Sequence, residues 1–505
     1  MKKIVLLMGL LVLFLTGCNS KTSDKSEAND EKLSIVTTFY PMYDFTRNIV
    51  GDEGDVSLLI GSGVEPHDYE PSAKDIAKIT DADAFIYNNE NMETWVPDLT
   101  KTLKKDSVNV IKASQDILLL PGLEEEGHDH SGEEGHSHEM DPHVWLAPSL
   151  AIKEVETIRD QLIKAYPKKK AAFTKNAAAY IEKLTALDNK YATSLKNATQ
   201  KNFVTQHAAF QYLAMEYGLN QVSIAGLSPD QEPSASRLAE LKDYISENNI
   251  KYIYFEENAS SKVAETLANE AKVELLVLNP LEGLTKEQQK NEEDYISVMT
   301  ENLTALEKTT TQTDGKEIIE PEETAEKTVY DGYFKDSQVE DRSLANYKGD
   351  WQSVYPYLED GTLDQVFDYK AKLKKKMTAE EYKAYYTTGY QTDVDEIKIT
   401  DKTIDFIVAG KSHKATYKYV GKKILDYEAG NRGVRYLFEA TEAVDGAYKY
   451  VQFSDHNITD VKTEHFHIFF GNDSQDALLK EMDHWPTYYP STMTGKEIAQ
   501  EMILH

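Results

Sequence analysis

Cysteine is nearly absent from this chain of 505 residues, which contains a single one, Cys18. A disulfide needs two cysteines and a thiolate zinc site needs several, so both are excluded from the folded part of the chain. Cys18 lies near the N-terminus, directly after an apolar run, and this position indicates a role in targeting.

Positive charge is also scarce. The chain has 55 lysine and arginine residues against 86 aspartate and glutamate residues, so its formal net charge is −31 at pH 7. This balance disfavours nucleic acid and an anionic membrane surface as partners, because an acidic protein is repelled by both. The acidic surface suits the accumulation of cations, although solubility alone would also explain it. With 40% hydrophobic residues, the chain can form about two to four domains with packed cores.

The N-terminal apolar run, from Ile4 to Leu15, is too short to span a bilayer comfortably. It follows two lysines and leads into Leu15-Thr16-Gly17-Cys18, a pattern that resembles a bacterial lipoprotein signal peptide with its lipobox. The resemblance implies cleavage after Gly17 and lipidation of Cys18. We therefore expect a signal peptide over residues 1–17 and a flexible polar tether over residues 18–31. An ordinary secretory signal with a chance cysteine is the alternative.

The next part of the chain alternates short apolar runs with helical patterns, which is typical of α/β units on a mostly parallel sheet. The runs occupy residues 33–39, 56–60, 84–87 and 108–111, and then 203–205, 222–225, 252–255 and 275–278. Between the two groups lies a helical segment that breaks once, at Tyr166-Pro167. After the break one apolar stripe follows a helical period, formed by Phe173, Ala177, Tyr180, Leu184, Leu187, Tyr191 and Leu195.

This pattern predicts a two-lobed α/β domain over residues 32–308. Its lobes are expected over about residues 32–165 and 200–308, joined by one long interlobe helix over about residues 168–198. Residues 309–328 have no apolar periodicity and are predicted to be a linker.

Beyond the linker tyrosine becomes frequent and the pattern changes. Alternating runs at residues 398–408, 415–420, 434–440 and 448–453 predict antiparallel strands, with turns at Gly410, Gly421 and Gly446. Helical patterns at residues 363–376 and 379–388 precede those strands. We therefore predict a mainly β domain over residues 329–505, which we interpret as a small barrel with helical additions.

Histidines are concentrated in one stretch, from Gly127 to Pro148, although the whole chain contains only 13. The stretch carries His128, His130, His136 and His138, followed by His143. Imidazole is a frequent ligand for zinc, copper and nickel, so the composition indicates metal binding. The first four histidines lie among glycine and charged residues, and we interpret them as an accessory metal-collecting loop; a plain solvated acidic loop is the alternative.

Three histidines far apart in the sequence form the first candidate metal site. His67, His143 and His207 each follow a predicted strand or open a helix. Residues at the carboxyl ends of strands in open α/β sheets can converge on one ligand. Glu282, in the loop after the last strand of the second lobe, is the candidate fourth ligand, with water or another carboxylate as the alternative. Three imidazoles and a carboxylate make a tetrahedral set that suits zinc.

Two motifs around these histidines carry a family resemblance. Glu65-Pro66-His67-Asp68-Tyr69-Glu70-Pro71 and Asp141-Pro142-His143-Val144-Trp145-Leu146 resemble the metal-binding solute-binding proteins of zinc and manganese ABC importers. The resemblance implies two lobes, a rigid interlobe helix and a metal at their interface that is delivered to a membrane permease. The family's ligand positions fall on His67, His143, His207 and Glu282. Manganese members typically have a carboxylate at the third position, so His207 favours zinc, as does the His-rich loop.

A second group of histidines lies near the C-terminus. His465 and His467 are two residues apart on a predicted strand and therefore project from one face, and a hairpin could bring His456 opposite them. Together with residues 330–332 and 341–358, this segment resembles the ZinT family of extracytoplasmic zinc-binding proteins. The resemblance implies a lipocalin-like (calycin) barrel, with a metal at its mouth on these three histidines.

The two modules behind a lipobox resemble the zinc-capturing lipoproteins of streptococci and their relatives. The sequence thus favours a lipid-anchored protein on the outer face of the bacterial cytoplasmic membrane, which binds one Zn²⁺ per domain and delivers zinc to an ABC importer permease. The C-terminal domain is interpreted as an auxiliary scavenger that raises the local zinc supply. We expect a monomer with no nucleic-acid partner and no enzymatic activity.

Two alternatives stay open at this point. One is a secreted zinc hydrolase or hydratase, because three histidines and a water also hold catalytic zinc. The segment from His138 to His143 superficially resembles a metalloprotease motif, but its spacing is one residue too long and Pro142 would break the required helix. The other alternative is a manganese receptor or surface adhesin.

Overall fold

The structure is a computed structural model that describes residues 32–104, 108–122, 139–231, 233–313, 328–427 and 429–504. The signal peptide, Cys18, the tether, the four loop histidines (His128, His130, His136 and His138) and most of the predicted linker lie outside these ranges. Within the ranges, every helix is either too short or too polar to pass through a bilayer.

The first lobe is built on a four-stranded parallel sheet with the strand order β2-β1-β3-β4. Its elements are β1 (Leu33–Thr37), α1 (Tyr40–Val50), β2 (Gly54–Leu58), α2 (Ala73–Thr80), β3 (Ala84–Tyr87), α3 (Val96–Thr102) and β4 (Asn109–Lys112). The central strand β3 is apolar and wholly buried, as expected for a parallel sheet covered on both faces.

Two helices lead from this lobe to the second. They are α4 (Pro148–Ala165) and α5 (Lys170–Leu195). α4 ends at Tyr166, which leaves the helical region because Pro167 follows it. The seven apolar residues predicted as one stripe are the buried residues of α5, and they pack in a single cluster with residues of both lobes. The predicted long interlobe helix is therefore confirmed. Its buried face is part of a hydrophobic core that the two lobes share.

The second lobe repeats the arrangement of the first. Its elements are β5 (Asn202–Thr205), α6 (Gln211–Tyr217), β6 (Asn220–Ser223), α7 (Ala235–Glu247), β7 (Tyr252–Phe255), α8 (Lys262–Ala271), β8 (Glu274–Val277), α9 (Lys286–Lys290) and α10 (Tyr295–Thr310). The sheet is again parallel, in the order β6-β5-β7-β8. Each lobe therefore presents the loops that follow its strands along one edge, where ligands of α/β folds bind.

The C-terminal part is a closed antiparallel barrel of eight strands with added helices, as predicted. Its elements are β9 (Gly349–Ser353), α11 (Tyr355–Glu359), α12 (Asp364–Lys374), α13 (Ala379–Tyr390), β10 (Val394–Ile399), β11 (Thr403–Val408), β12 (Lys411–Asp426), β13 (Arg432–Ala440), β14 (Tyr450–Ser454), β15 (Phe466–Gly471), α14 (Gln475–Leu478), β16 (Thr487–Pro490) and α15 (Gly495–Ile503). β16 pairs with β9 and closes the barrel. Aromatic residues such as Trp351, Tyr436 and Phe466 fill its interior.

One predicted turn of this part is wrong. Gly421 lies inside the long strand β12, at a bulge where the register with β13 shifts, and its φ of 129° suits glycine. The turn at Gly410 is confirmed: with Ala409 it forms the two-residue loop between β11 and β12. The run over residues 398–408 is divided by a further turn, which separates β10 from β11.

α12 and α15 of the C-terminal part pack against both lobes. A single apolar cluster contains Leu118 and Leu120 beside β4, Tyr212 on α6, Phe367 on α12 and Ile498 on α15. The barrel and the two-lobed part are therefore docked through an apolar contact as well as connected by the chain.

The first lobe also buries an isolated carboxyl group. Glu154 on α4 is fully buried, and neither of its carboxyl oxygens has a hydrogen-bond partner. Burial, together with the nearby charge of Glu93, raises the pKa of Glu154 well above its usual value. Its neutral form is thus the one that the folded protein accommodates.

We expect Glu154→Gln to stabilise the metal-free protein increasingly as the pH rises. The folded-state pKa is raised, so the contribution of this group is fully present below the unfolded pKa of about 4.3 and is lost as the pH rises through the folded value. Thermal unfolding between about pH 5 and pH 8 should show a growing difference in Tm from the parent protein. Glu156→Gln, which changes a carboxylate on the same helix whose side chain is 47% exposed, is the matched control; an equal shift in both variants would contradict the expectation.

Candidate metal centres

The first candidate centre lies between the two lobes. The first lobe contributes His67 from the loop after β2 and His143 from the segment before α4, while the second contributes His207 after β5 and Glu282 after β8. Three of these positions follow the carboxyl ends of parallel strands, and α/β folds place ligand sites at those ends. The structure therefore brings together all four residues that the sequence indicated.

Four potential ligand atoms converge in this centre. The Nε2 atom of His143 lies 3.1 Å from that of His67 and 3.4 Å from that of His207. Oε1 of Glu282 lies 3.4–3.6 Å from the same three nitrogens. A tetrahedral zinc ion with bonds of about 2.0–2.1 Å would separate its ligand atoms by about 3.3–3.4 Å. The observed spacings fit such an ion with little movement of the side chains.

Carboxylates orient two of the three imidazoles. Nδ1–H of His143 donates to Asp141 at 2.7 Å, and Nδ1–H of His207 donates to Glu256. A hydrogen bond at Nδ1 fixes the tautomer in which Nε2 carries the free lone pair. In metal sites such partners also increase the basicity of the ligand. The two imidazoles are therefore set in the orientation and tautomer that a metal needs.

The lobes are fastened together close to this centre. Nε1–H of Trp145 donates to the carbonyl oxygen of Pro280 at 2.7 Å, and the hydroxyl of Tyr295 donates to the carbonyl oxygen of Trp145 at 2.5 Å. Trp145 is two residues from His143, and Pro280 is two residues from Glu282. This contact holds the candidate ligand His143 of one lobe close to the candidate ligand Glu282 of the other.

The electrostatics of the centre match a cation site. Burial alone would raise the pKa of Glu282, but the three imidazoles outweigh it and hold the pKa well below its usual range. Burial opposes protonation of His207, yet Glu256 and Glu282 raise the pKa of that imidazole well above its ordinary value. The carboxylate is thus negative and His207 holds a proton that a metal would displace, whereas burial lowers the pKa of His67. Burial and the charge of Glu282 raise the pKa of the adjoining Glu65 to about 8.

The second candidate centre consists of His456, His465 and His467, whose ligand atoms lie within 4.8 Å of one another. Phe466 and Ile468 of β15 point into the barrel core, so His465 and His467 project from the outer face of the wall. The centre lies at the start of β15 and beyond the end of β14, on the outer side of the wall, where Glu501 of α15 lies against it. These strand ends form one end of the barrel, so a metal here would lie at its rim, close to the mouth that the family resemblance implied.

Each imidazole of this centre has a polar partner at its Nδ1 atom. His467 lies 2.7 Å from the hydroxyl of Thr487, which donates its own proton to the carbonyl oxygen of Trp485 and therefore accepts from the ring. His465 lies 3.2 Å from Glu501 of α15, and His456 donates to the carbonyl oxygen of Tyr330 at 3.2 Å. All three Nε2 atoms are thus left for a metal.

A buried ion pair holds the loop that carries His456. Arg342 donates to Asp455 at 2.6 Å and to the carbonyl oxygen of Val461 at 2.8 Å, and both charged side chains are almost fully buried. Desolvation and the imidazoles of His465 and His456 hold the pKa of His467 well below its usual range. His467 is therefore neutral at pH 7 and ready to bind a metal without losing a proton.

Several residues that position the ligands were not singled out from the sequence. Asp141 stands two residues before His143, and Glu256 directly follows β7, so their positions in Asp-Pro-His and at a strand end were the available signals. Thr487 and Glu501 carry no such signal, because only the folded barrel brings them to the histidines.

The geometry agrees with known proteins. Residues 35–309 match the family model described as ZnuA, zinc-uptake complex component A, periplasmic. Residues 325–505 match the model described as ZinT (YodA), periplasmic lipocalin-like zinc-recruitment. Both resemblances inferred from sequence motifs are thereby confirmed.

Individual relatives cover either the whole chain or its first part. The zinc-binding lipoprotein AdcA of Streptococcus pneumoniae serotype 4 is 64% identical over 508 aligned positions, which cover 100% of both chains. The high-affinity zinc uptake system protein ZnuA of Bacillus subtilis is 56% identical over 296 positions, which cover 58% of this chain and 93% of that protein.

A solved structure supports the complete architecture. The crystal structure of Zn(II)-bound AdcA from Streptococcus pneumoniae matches with a TM-score of 0.86 at 63% sequence identity, and the match covers 94% of this chain and 100% of that one. The predicted fold class, a two-lobed α/β protein followed by a lipocalin-like barrel, is confirmed. Because the first family model covers more than half of the chain and full-length relatives share more than half of its residues, the chain belongs to the AdcA-type zinc-binding proteins, in which a ZnuA-family part precedes a ZinT-family part.

Proposed function

We propose that this protein captures zinc outside the cell and delivers it to the permease of an ABC importer. The observation that carries the proposal is the convergence of three Nε2 atoms and one carboxylate oxygen at tetrahedral spacing between the lobes. Zinc is the cargo in this proposal. Its ligands in the first centre are His67, His143, His207 and Glu282.

The donor set supports zinc over manganese. Zinc accepts four nitrogen and oxygen ligands in a tetrahedron, whereas manganese prefers octahedral oxygen ligands. The first centre supplies three nitrogens and one oxygen, and three of its four residues are buried. The fourth position is filled by Glu282, unlike a catalytic zinc site, which keeps a position open for water or substrate. The geometry therefore supports transport rather than hydrolysis.

The second centre suits an auxiliary zinc-recruiting role. His456, His465 and His467 supply three nitrogens on the outer wall of the barrel and leave a fourth position for water. Glu501 is the nearby carboxylate, but His465 and the hydroxyl of Tyr489 engage it. We assign one Zn²⁺ to each centre.

Anchoring and delivery complete the proposal. Acylation of Cys18 would hold the chain on the outer face of the cytoplasmic membrane, with a tether over residues 18–31. The permease would receive zinc from the two-lobed part, residues 32–308, and residues 329–505 would form the recruiting part of a monomer. His128, His130, His136 and His138 would serve as low-affinity collectors close to the first centre, because the residues that flank their segment pair with each other beside Asp141.

Zinc titration by calorimetry should give two sites on the soluble chain that begins after Cys18. His143→Ala should remove one site and His465→Ala the other, because each change deletes a nitrogen from a different centre. His413→Ala, which changes a histidine at a barrel hairpin outside both centres, is the control. A parent chain that binds only one zinc, lost in His143→Ala, would remove the second centre from the proposal.

Glu256→Gln should weaken zinc binding at the first centre without abolishing it. The variant loses the carboxylate that orients His207, and removing such a partner typically costs about 10–100-fold in metal affinity. Competition with a fluorescent zinc chelator, with the second centre disabled by His465→Ala, measures the change. Glu257→Gln, an exposed neighbour, should bind as the parent does, and an unchanged affinity in Glu256→Gln would refute the assigned role.

Replacement of the anchoring residue tests the location. Cys18→Ala should release the protein into the culture medium, because the variant has no cysteine to which the lipid can be attached. Fractionation of cells and medium, with Ser20→Ala as the control, gives the readout. Retention of the Cys18→Ala protein on the cells would show that another part of the chain holds it there.

A further inference from the structure

The contact between the barrel part and the first lobe includes two hydrogen bonds between one side-chain amide and the backbone of one residue. Nε2 of Gln500, on α15, donates to the carbonyl oxygen of Leu119 at 2.7 Å, and the backbone N–H of Leu119 donates to Oε1 of Gln500 at 2.8 Å. The adjacent N–H of Leu118 donates to Gln365 of α12 at 3.2 Å. A side-chain amide that satisfies both backbone groups of one residue acts as a neighbouring strand would, and it fixes α15 against this segment.

Apolar and ionic contacts surround this pair. Lys372 of α12 lies 2.8 Å from Glu216, which is on α6 of the second lobe and whose side chain is 9% exposed. The apolar cluster around it joins Leu118 and Leu120 with Phe367 and Ile498. An ion pair with one enclosed partner and a shared apolar cluster resist sliding, because both would be exposed to water if the surfaces separated. The two parts are therefore docked in one orientation.

The segment held by Gln500 leads directly to the first centre. The N–H of Leu120 donates to the hydroxyl of Tyr212 at 2.8 Å, and that hydroxyl donates to the carbonyl oxygen of Asp141 at 2.8 Å. The N–H of Asp141 in turn donates to the carbonyl oxygen of Leu120 at 2.9 Å. Since the carboxylate of Asp141 orients His143, the position of Leu119 and Leu120 sets the position of a ligand.

The same helix reaches the second centre through the next residue. Oε1 of Glu501 lies 3.2 Å from Nδ1 of His465, and its other oxygen accepts from the hydroxyl of Tyr489 at 2.5 Å. A metal on Nε2 withdraws electrons from the ring and makes Nδ1–H a stronger donor to a carboxylate. A cation at the second centre would thus tighten the bond that holds α15.

We propose that α15 positions ligands at both centres, so that zinc on the second centre stabilises the docked segment behind His143 and raises the zinc affinity of the first. Glu501 acts through His465, and Gln500 acts through Leu119, Leu120 and Asp141. This inference rests on the proposed zinc-binding function and adds a coupling between its two sites. Thermodynamic linkage makes the coupling reciprocal, and couplings of this kind typically change affinity by about 5–150-fold; we expect about fivefold here, the lower end.

Hydrogen exchange on the full soluble chain tests the first half of this connection. In His143→Ala, zinc added at one equivalent occupies the second centre, and the amides of residues 118–120 should then exchange about fivefold more slowly than without zinc. The protection should disappear in His143→Ala/Gln500→Ala, whereas His143→Ala/Ser412→Ala, which removes only an exposed hydrogen bond to Asp405, should retain it. If the exchange rates of these amides in His143→Ala were the same with and without zinc, the proposal would be overturned.

Affinity measurements test the second half. Chelator competition should show the first centre binding zinc about fivefold more weakly in His465→Ala/His467→Ala than in the parent chain. In the Gln500→Ala background, disabling the second centre should make no further difference, a result that a merely structural role of Gln500 would not produce. Equal affinities with and without the second centre, or a difference that persists in Gln500→Ala, would overturn the coupling alone. If His465→Ala/His467→Ala kept two bound zinc ions, the assigned second centre itself would be wrong.

Discussion

The structure depends above all on the meeting of four electron-rich atoms between two lobes. Three imidazole Nε2 atoms and a carboxylate oxygen face one point and lie 3.1–3.6 Å from their neighbours, an arrangement that a cation bound to all four atoms would stabilise. Each lobe supplies two of the four candidate ligands, so neither lobe alone would complete the set. The shared helix α5 and the hydrogen bond from Trp145 to Pro280 keep the lobes together, and the rest of the two-lobed fold can be understood as support for that geometry.

Both centres orient their imidazoles in the same way, but the groups that orient them differ. Each orients imidazoles through Nδ1 and leaves Nε2 for the metal. The first centre uses the carboxylates of Asp141 and Glu256, whereas the second uses a hydroxyl, a backbone carbonyl and Glu501. The first centre is enclosed and offers four candidate protein ligands, which suits tight retention of a metal. The second offers three candidate ligands at one end of the barrel and leaves a position for water, which suits recruitment and exchange.

Docking of the barrel changes how the two parts would cooperate. The linker composition alone suggested a tethered scavenger that raises local zinc concentration. The apolar cluster and the Gln500 pair instead place the barrel in one orientation on the two-lobed part. A docked arrangement allows the centres to influence each other through the structure, because α15 contacts a ligand-positioning segment of one and a ligand of the other. Proximity and physical coupling then act together.

The sequence by itself determined the strand and helix alternation, the stripe on α5 and the histidines that the fold later brings together, because periodicity and short motifs are local properties. It misassigned Gly421, since a glycine signals a bulge or a turn equally well until its strand partner is known. Only the tertiary structure decided the position of the second centre on the outer wall, the roles of Glu256 and Glu501, and the contact of Gln500 with Leu119. These pairs are formed by residues up to 381 positions apart, and the packing of complete domains, which no local pattern encodes, determines whether such residues meet.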